Sequence, residues 1–521
     1  MASSASTVNG IGARAAHVAT FLMLGQLAST VLAGIAFIVI ARILGPSTYG
    51  IYTLAIAVSA LFGAVGDFGI GTAFNKFIAE YKAHARITDI EHLLADGFAA
   101  VAMVGLLFAI LTLLFSSFLA STIMHSASYA YIVDVVSLIV FLSMIFTPAY
   151  SALVGFGKGA YVAMIMASQA IVQAAVGITL AIYGFGAIAP IIGIISGFAV
   201  GIVIAIYYIY VKQKLRVRAP SAARIKKLMG FSLPLAVSNV LGAVSNNFSL
   251  LFLGIFVSSA VIGYIGVSTR TISILGVLTG SISLSILPMF SSTLTTSLKR
   301  HIGRIYNYAI YVAFLLITPV ILFIAVLARP FVVTVFGAAY GNAALFVAII
   351  GIGTLVGLVG TYTSMLLISA SKVRKVLKYN AIMVVVELAL MPAFVIGLKG
   401  LGFVLLFYAL APVLLLALYV HAVRGVLNIK LRWKRILRVV LAGLLSTAML
   451  LPLMLLFGSN FIPLLVAALA EQLIAYPAIV AATGAASRRD LGNLSSLMSG
   501  VPVLGYIMRM LTRYAALFVR S

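Results

Sequence analysis

"ARILGPSTYGIYTLAIAVSALFGAVGDFGIGTAFNKFIAEY" occupies residues 41–81. Between Arg42 and Asp67 no charge occurs, and the stretch Ile43–Gly66 exceeds the roughly 18 apolar residues that read as a membrane-spanning helix. Asp67 then sits among Gly63, Gly66, Gly69 and Gly71, although the chain of 521 residues holds only nine acids. Charge resumes at Lys76. The segment thus reads as a short turn at 42–50 followed by a span that closes near residue 75.

The same reading extends outward. Val18–Ala41, Val135–Gly157 and Thr271–Leu298 carry no charge, and Leu401–Val423 carries none apart from His421. Longer uncharged runs are divided by turn-rich breaks such as "YGFGAIAP" and "FGAAYGNA". Fourteen spans result, at 18–41, 51–75, 93–119, 130–154, 161–183, 187–211, 231–255, 262–289, 305–328, 343–370, 376–397, 401–424, 437–457 and 461–483. With 64% hydrophobic and 8% charged residues, the chain lies outside the soluble globular range and is predicted to be an all-α polytopic membrane protein. The first apolar run is longer than the core of a signal peptide and is read as an uncleaved span.

Charge placement sets the topology. Of 34 Lys and Arg, thirty fall on the segments that share a side with the N-terminus, whereas Arg42, Arg329 and Lys399 fall on the other side and Arg270 lies within a span. Such asymmetry predicts cytoplasmic termini in a multi-pass protein of the cell membrane, and it accounts for the basic excess without nucleic acid. With no cysteine there is no disulfide or thiolate metal site, and His421 alone supports no metal. No cofactor motif is present: "GFGKG" (155–159) lacks the spacing and the Ser/Thr of a phosphate loop.

Three landmarks repeat at nearly one spacing: Gly50 with Gly263 (offset 213), Lys158 with Lys372 (offset 214) and Gly186 with Gly402 (offset 216). Duplicated halves are common in transporters. The expected organisation is two pseudo-symmetric six-helix lobes, residues 1–211 and 231–428, joined by a basic linker at 212–230. Two further helices (429–483) and a cytoplasmic amphipathic tail (484–521) follow; in the tail Arg509, Arg513 and Arg520 share one face. The linker carries seven basic residues and no acid, a topology signal suited to anionic membrane lipids.

The 41–81 segment, through "LGP" (44–46), "YGIY" (49–52) and "DFGIGTAFNKFIAEY" (67–81), resembles the first hairpin of polysaccharide flippases in the multidrug/oligosaccharidyl-lipid/polysaccharide (MOP) exporter superfamily. The resemblance implies a fourteen-helix protein that passes lipid-linked oligosaccharide, joined through phosphate or pyrophosphate to a polyprenol, across the cytoplasmic membrane by alternating access. It implies a transporter, not an enzyme.

Ionisable groups inside a membrane are costly and usually face a cavity, so the candidate site residues follow from depth. Arg270 lies about 12 Å into its span at the helical rise, and its guanidinium suits phosphate oxygens. Arg42 and Lys76, at opposite span ends, are weaker phosphate candidates. Gln173 and Glu387 share the offset of Lys158 and Lys372, which puts them at one depth of duplicated helices, and with Asn246 and Asn247 they offer hydrogen bonds to a glycan. Glu387 could also sense a cation. Asp67, about 13 Å along the helix from Lys76, could couple transport to an ion gradient or pack the glycine-rich hairpin. Glu471 and Gln472 in the last span read as packing residues. Two other functions compete. A drug or metabolite antiporter of the same superfamily generally stops at twelve spans, and a membrane glycosyltransferase or polymerase needs catalytic groups in a substantial outer loop, which is missing here.

Overall fold

The computed structural model describes residues 2–66, 69–230, 244–274, 301–457 and 461–487, with a few isolated positions beyond these. Asp67, the first part of the seventh expected span, most of the second half of the eighth, and tail residues Arg509, Arg513 and Arg520 lie outside the described residues. Among the described residues all regular structure is helical.

The opening segment shows why. Helix α1 (Ala2–Gly66) is two helical segments joined at Gly45, whose φ of 70° and ψ of 170° belong to glycine, and Pro46 restarts the helix with its φ already set. The turn expected at 42–50 is therefore a break of one residue, and "LGP" is the sequence that makes it. Downstream, α1 stops at Gly66, Gly69 adopts φ 72°, and α2 (Ile70–Ala83) begins. A span running unbroken to residue 75 is not observed, because a left-handed residue cannot continue a right-handed helix. The depth difference between Asp67 and Lys76, which assumed a uniform rise, does not apply.

The remaining helices lie close to their expected places: α3 (Ile87–Leu114), α4 (Ala130–Gly155), α5 (Gly159–Ile182), α6 (Ile188–Ile206), α7 (Ser259–Ser273), α8 (Ile302–Val326), α9 (Ala343–Ser369), α10 (Val373–Leu405), α11 (Ala411–Leu427), α12 (Trp433–Ala448) and α13 (Phe461–Ala482). Ten helices among the described residues are long and apolar enough to cross a membrane. Two of them, Ala28–Gly63 and Val373–Leu427, each hold two expected spans, broken at Gly45 and at Lys399 (φ 51°). The protein is a multi-pass membrane protein.

The chain divides into two compact units, residues 1–266 with 391–400, and residues 267–390 with 401–521. The first is built on Phe74, Ile78, Leu94, Val101, Leu153 and Ile165. In it Gly193, Gly197 and Gly201 line one face of α6, and a Cβ at 193 would stand 2.6 Å from the Gln173 carbonyl oxygen of α5. Small residues at this spacing let helices approach where lipid offers no hydrophobic drive. The second unit packs Tyr306, Ile310, Phe314, Tyr362, Leu366 and Val439. There the Tyr306 and Thr363 hydroxyls meet at 2.6 Å.

Inside the first unit the two glycines matched by the repeat, Gly50 and Gly263, face one another. A Cβ on Gly50 would collide with the carbonyl of Ser259, and a Cβ on Gly263 with the carbonyl of Pro46. Pro46 and Ser259 are separated in sequence by the same offset as the two glycines, so the contact is reciprocal, as across a local two-fold axis.

The basic linker is tied down by two of the nine acids. Glu91 and Asp96, both buried on α3, each accept one main-chain N–H and one guanidinium. Glu91 takes Arg216 N–H (2.8 Å) and Arg218 Nε (2.7 Å), and Asp96 takes Ser221 N–H (2.8 Å) and Arg224 Nε (2.6 Å). A buried carboxylate needs both kinds of donor to offset its desolvation. The double substitution Glu91→Gln with Asp96→Asn is expected to speed tryptic cleavage between residues 212 and 227 on the order of tenfold, by freeing the segment to open locally. An unchanged cleavage rate would mean that other contacts hold the linker.

Candidate functional site

Among the described residues each unit contains a cleft lined by a polar residue anticipated from the sequence. In the first, Ile56, Ser59, Ala60 and Gly63 of α1, Ser143, Met144 and Thr147 of α4, Gln173 of α5, and Ile194 and Phe198 of α6 enclose about 360 Å³. The hydroxyls donate to their own helices: Ser59 to the Ile56 carbonyl (2.9 Å), Ser143 to Val140 (3.0 Å) and Thr147 to Ser143 (3.1 Å). With their protons engaged, these oxygens can offer lone pairs to a ligand donor. The half-buried Gln173 amide adds a donor and an acceptor.

In the second unit Gly357, Gly360, Thr361 and Ser364 of α9, Asn380 and Glu387 of α10, Ala411, Pro412, Leu415 and Tyr419 of α11, and Phe407 just before α11 enclose about 330 Å³. Thr361 donates to the Gly357 carbonyl (3.2 Å) and Ser364 to Thr361 (2.8 Å), while the Tyr419 hydroxyl donates to Asn380 Oδ1 (2.8 Å). Glu387 is buried, only 9% exposed.

The two clefts occupy matching register. Thr147 and Thr361 are separated in sequence by the same offset as Gln173 and Glu387. Ser143 matches Gly357 in the same way, which leaves the second cleft with one hydroxyl fewer there. Sequence reasoning missed the threonine pair, though applying the Gln173–Glu387 offset to every polar residue in a span would have found it. It also missed Asn380 and Tyr419, whose pairing across two helices has no local signal.

The other candidates are dispersed. Arg270 is exposed near the end of α7, its carbonyl accepting from Ser273 Oγ (2.7 Å), and the ion pairs among the described residues involve other arginines. Lys76 is exposed on α2 with its ammonium 5.0 Å from the Phe77 ring centre. Arg42 is exposed shortly before the Gly45 break. Asn246 and Asn247 lie in a π-helical turn, Val244–Phe248, a local widening frequent at functional sites; the Asn247 side chain is half-buried, and that of Asn246 lies outside the described residues. Glu471 accepts from the Gln472 amide at 3.2 Å. Among the described residues no three His, Asp or Glu side chains gather as a metal site.

Residues 39–345, more than half of the chain, match the family described as polysaccharide biosynthesis protein. The chain belongs to that family. Membership agrees with the resemblance carried by the 41–81 hairpin, which lies wholly inside the match. No curated protein matches the chain. Among solved structures, this family member is similar to the lipid II flippase MurJ in an inward closed conformation, with 14% identity and a TM-score of 0.73, over 88% of this chain and 98% of that one. It is also similar to an inward-facing multidrug resistance MATE family transporter of the MOP superfamily, with 16% identity and a TM-score of 0.64, over 78% and 99%. A MOP superfamily transporter from Pyrococcus furiosus aligns with 16% identity and a TM-score of 0.53, over 80% and 96%. These likenesses show the MOP transporter fold.

Proposed function

We propose that this polysaccharide biosynthesis family member is a flippase that moves polyprenyl-(pyro)phosphate-linked oligosaccharide across the cytoplasmic membrane by alternating access between two six-helix lobes, with both termini in the cytoplasm. The observation that carries the reading is the pair of clefts in matching register, one neutral at Gln173 and one acidic at Glu387, in a chain of this family. Acceptor hydroxyls and amides in apolar walls suit sugar hydroxyls. In this reading Gln173, Asn246 and Asn247 contact glycan, and Arg270 takes the phosphate oxygens, with Lys76 and Arg42 near the two membrane faces. Glu387, and Asp67 in the hairpin, serve coupling to an ion gradient. The polyprenyl tail stays in lipid, so the protein needs to enclose only the polar head.

The test is transport of defined lipid-linked sugars in proteoliposomes. Arg270→Ala is expected to slow transport by at least about tenfold, the worth of one charge-assisted phosphate contact, with Arg270→Lys intermediate because a point charge replaces a planar fork. Wild-type rates in both variants at equal protein level would remove Arg270 from the site. Movement of none of the lipid-linked sugars would overturn the substrate assignment itself.

A further inference from the structure

Helix α12 begins in an electrostatically unusual way. A helix N-terminus carries partial positive charge and favours acids in its first turn. Here the first turn has no acid, Arg432 provides no side-chain cap, and Lys434, Arg435 and Arg438 crowd the first two turns. Asn307 of α8 fixes this start from both sides, donating to the Lys430 carbonyl (3.1 Å) and accepting from the Arg432 N–H (2.7 Å).

Only one of these cations is compensated among the described residues. Arg435 bonds Asp490 and lies 3.8 Å from the centre of the Tyr311 ring. Asp490 also accepts from the Ser487 hydroxyl (2.6 Å) and N–H (2.9 Å). Burial pushes its carboxyl up, but the Ser487 and Arg435 hydrogen bonds outweigh that and hold it below the usual carboxylate range, so at neutral pH the pair is ionised. Arg432, Lys434 and Arg438 are exposed and unpaired among the described residues. They line a cleft of about 670 Å³ to which Gly484, Ala485, Ser487 and Asp490 also contribute.

We infer that this cleft binds the phosphate of an anionic phospholipid, with the acyl chains lying along α12. The residues that follow the cations make the occupant a lipid: Leu437, Leu441, Leu444 and Leu445 are 58%, 48%, 49% and 54% exposed and continue the face of Lys434 and Arg438 at helical spacing. Trp433, 43% exposed at the start of the candidate span Trp433–Phe457, marks the interface where indole rings settle. Cations at the head of a row of hydrocarbon-facing leucines present charge and an acyl-chain surface together, the pairing that a phospholipid uses and a free phosphate does not. The cleft shares no lining residue with the two clefts above, and its test does not depend on them.

Trp433 is the only tryptophan in the chain, so its fluorescence reports this cleft directly. The full-length protein in vesicles of phosphatidylcholine with brominated phosphatidylglycerol should be quenched more strongly than with brominated phosphatidylcholine at equal fraction, giving a selectivity of at least about fivefold, the effect of one basic group at an anionic surface. The variant Arg432→Gln/Lys434→Gln/Arg438→Gln, in which Arg435 and Asp490 remain, should bring that selectivity to about one. Arg438→Gln alone should lower it partly and Arg438→Lys should keep it, and an unchanged Trp433 emission maximum shows that the cleft has kept its fold. Equal quenching by the two lipids in the wild type overturns the inference, as does selectivity that survives the triple variant. Reversal of quenching by millimolar inorganic phosphate, or preferential displacement by polyprenyl phosphate, would assign the cleft to those ligands and overturn the phospholipid.

Discussion

Gly50→Ala is expected to destabilise the protein by about 1–3 kcal/mol, the range for overpacking a tight site, and the larger value is expected because backbone stands on both sides of the contact. The new methyl would collide with the Ser259 carbonyl, and a carbonyl held in a helix cannot turn aside as a side chain can. Gly263→Ala should cost as much through Pro46. Because either methyl forces the same two segments apart, the double variant should cost clearly less than the sum. Gly357→Ala, where a Cβ meets open space, is the control and should be neutral or slightly stabilising through helix propensity. Thermal unfolding in detergent with a fluorescent reporter reads all four. An additive double variant would mean that the two glycines do not share one contact.

The second large effect concerns Glu387. Glu387→Gln gives the second cleft the amide that Gln173 gives the first, which preserves hydrogen bonding and removes only the charge. If Glu387 couples transport to an ion gradient, this variant should lose gradient-driven transport by roughly 5–150-fold, the span of typical coupling energies, while exchange without a gradient continues. Glu387→Ala should lose both. Gradient dependence preserved in the Gln variant would reduce the carboxylate to a glycan or packing contact and leave the ion role without support from this cleft.

Much of the fold was legible because its signals are local. Uncharged runs longer than a bilayer thickness specify spans whatever surrounds them, and Gly45 followed by Pro46 specifies a break in a helix. The offsets of the internal repeat were also readable, and they led to Gln173 and Glu387, each of which lines a cleft. The interruption between Gly66 and Ile70 was misread, since glycines in an apolar run serve equally as packing surface or as chain breaks, and only the backbone angle distinguishes them.

The sequence alone determined a multi-pass helical membrane protein and the residue types available to a polar substrate, because hydropathy and spacing act over one turn or one span. Tertiary structure decided which groups meet. Glu91 and Asp96 find main-chain partners far along the chain in the linker, Gly50 finds Ser259, and Asp490 takes Arg435, while Arg432, Lys434 and Arg438 have no acid partner among the described residues. Each of these pairings joins residues distant in sequence, and its free energy depends on the burial and geometry that packing creates.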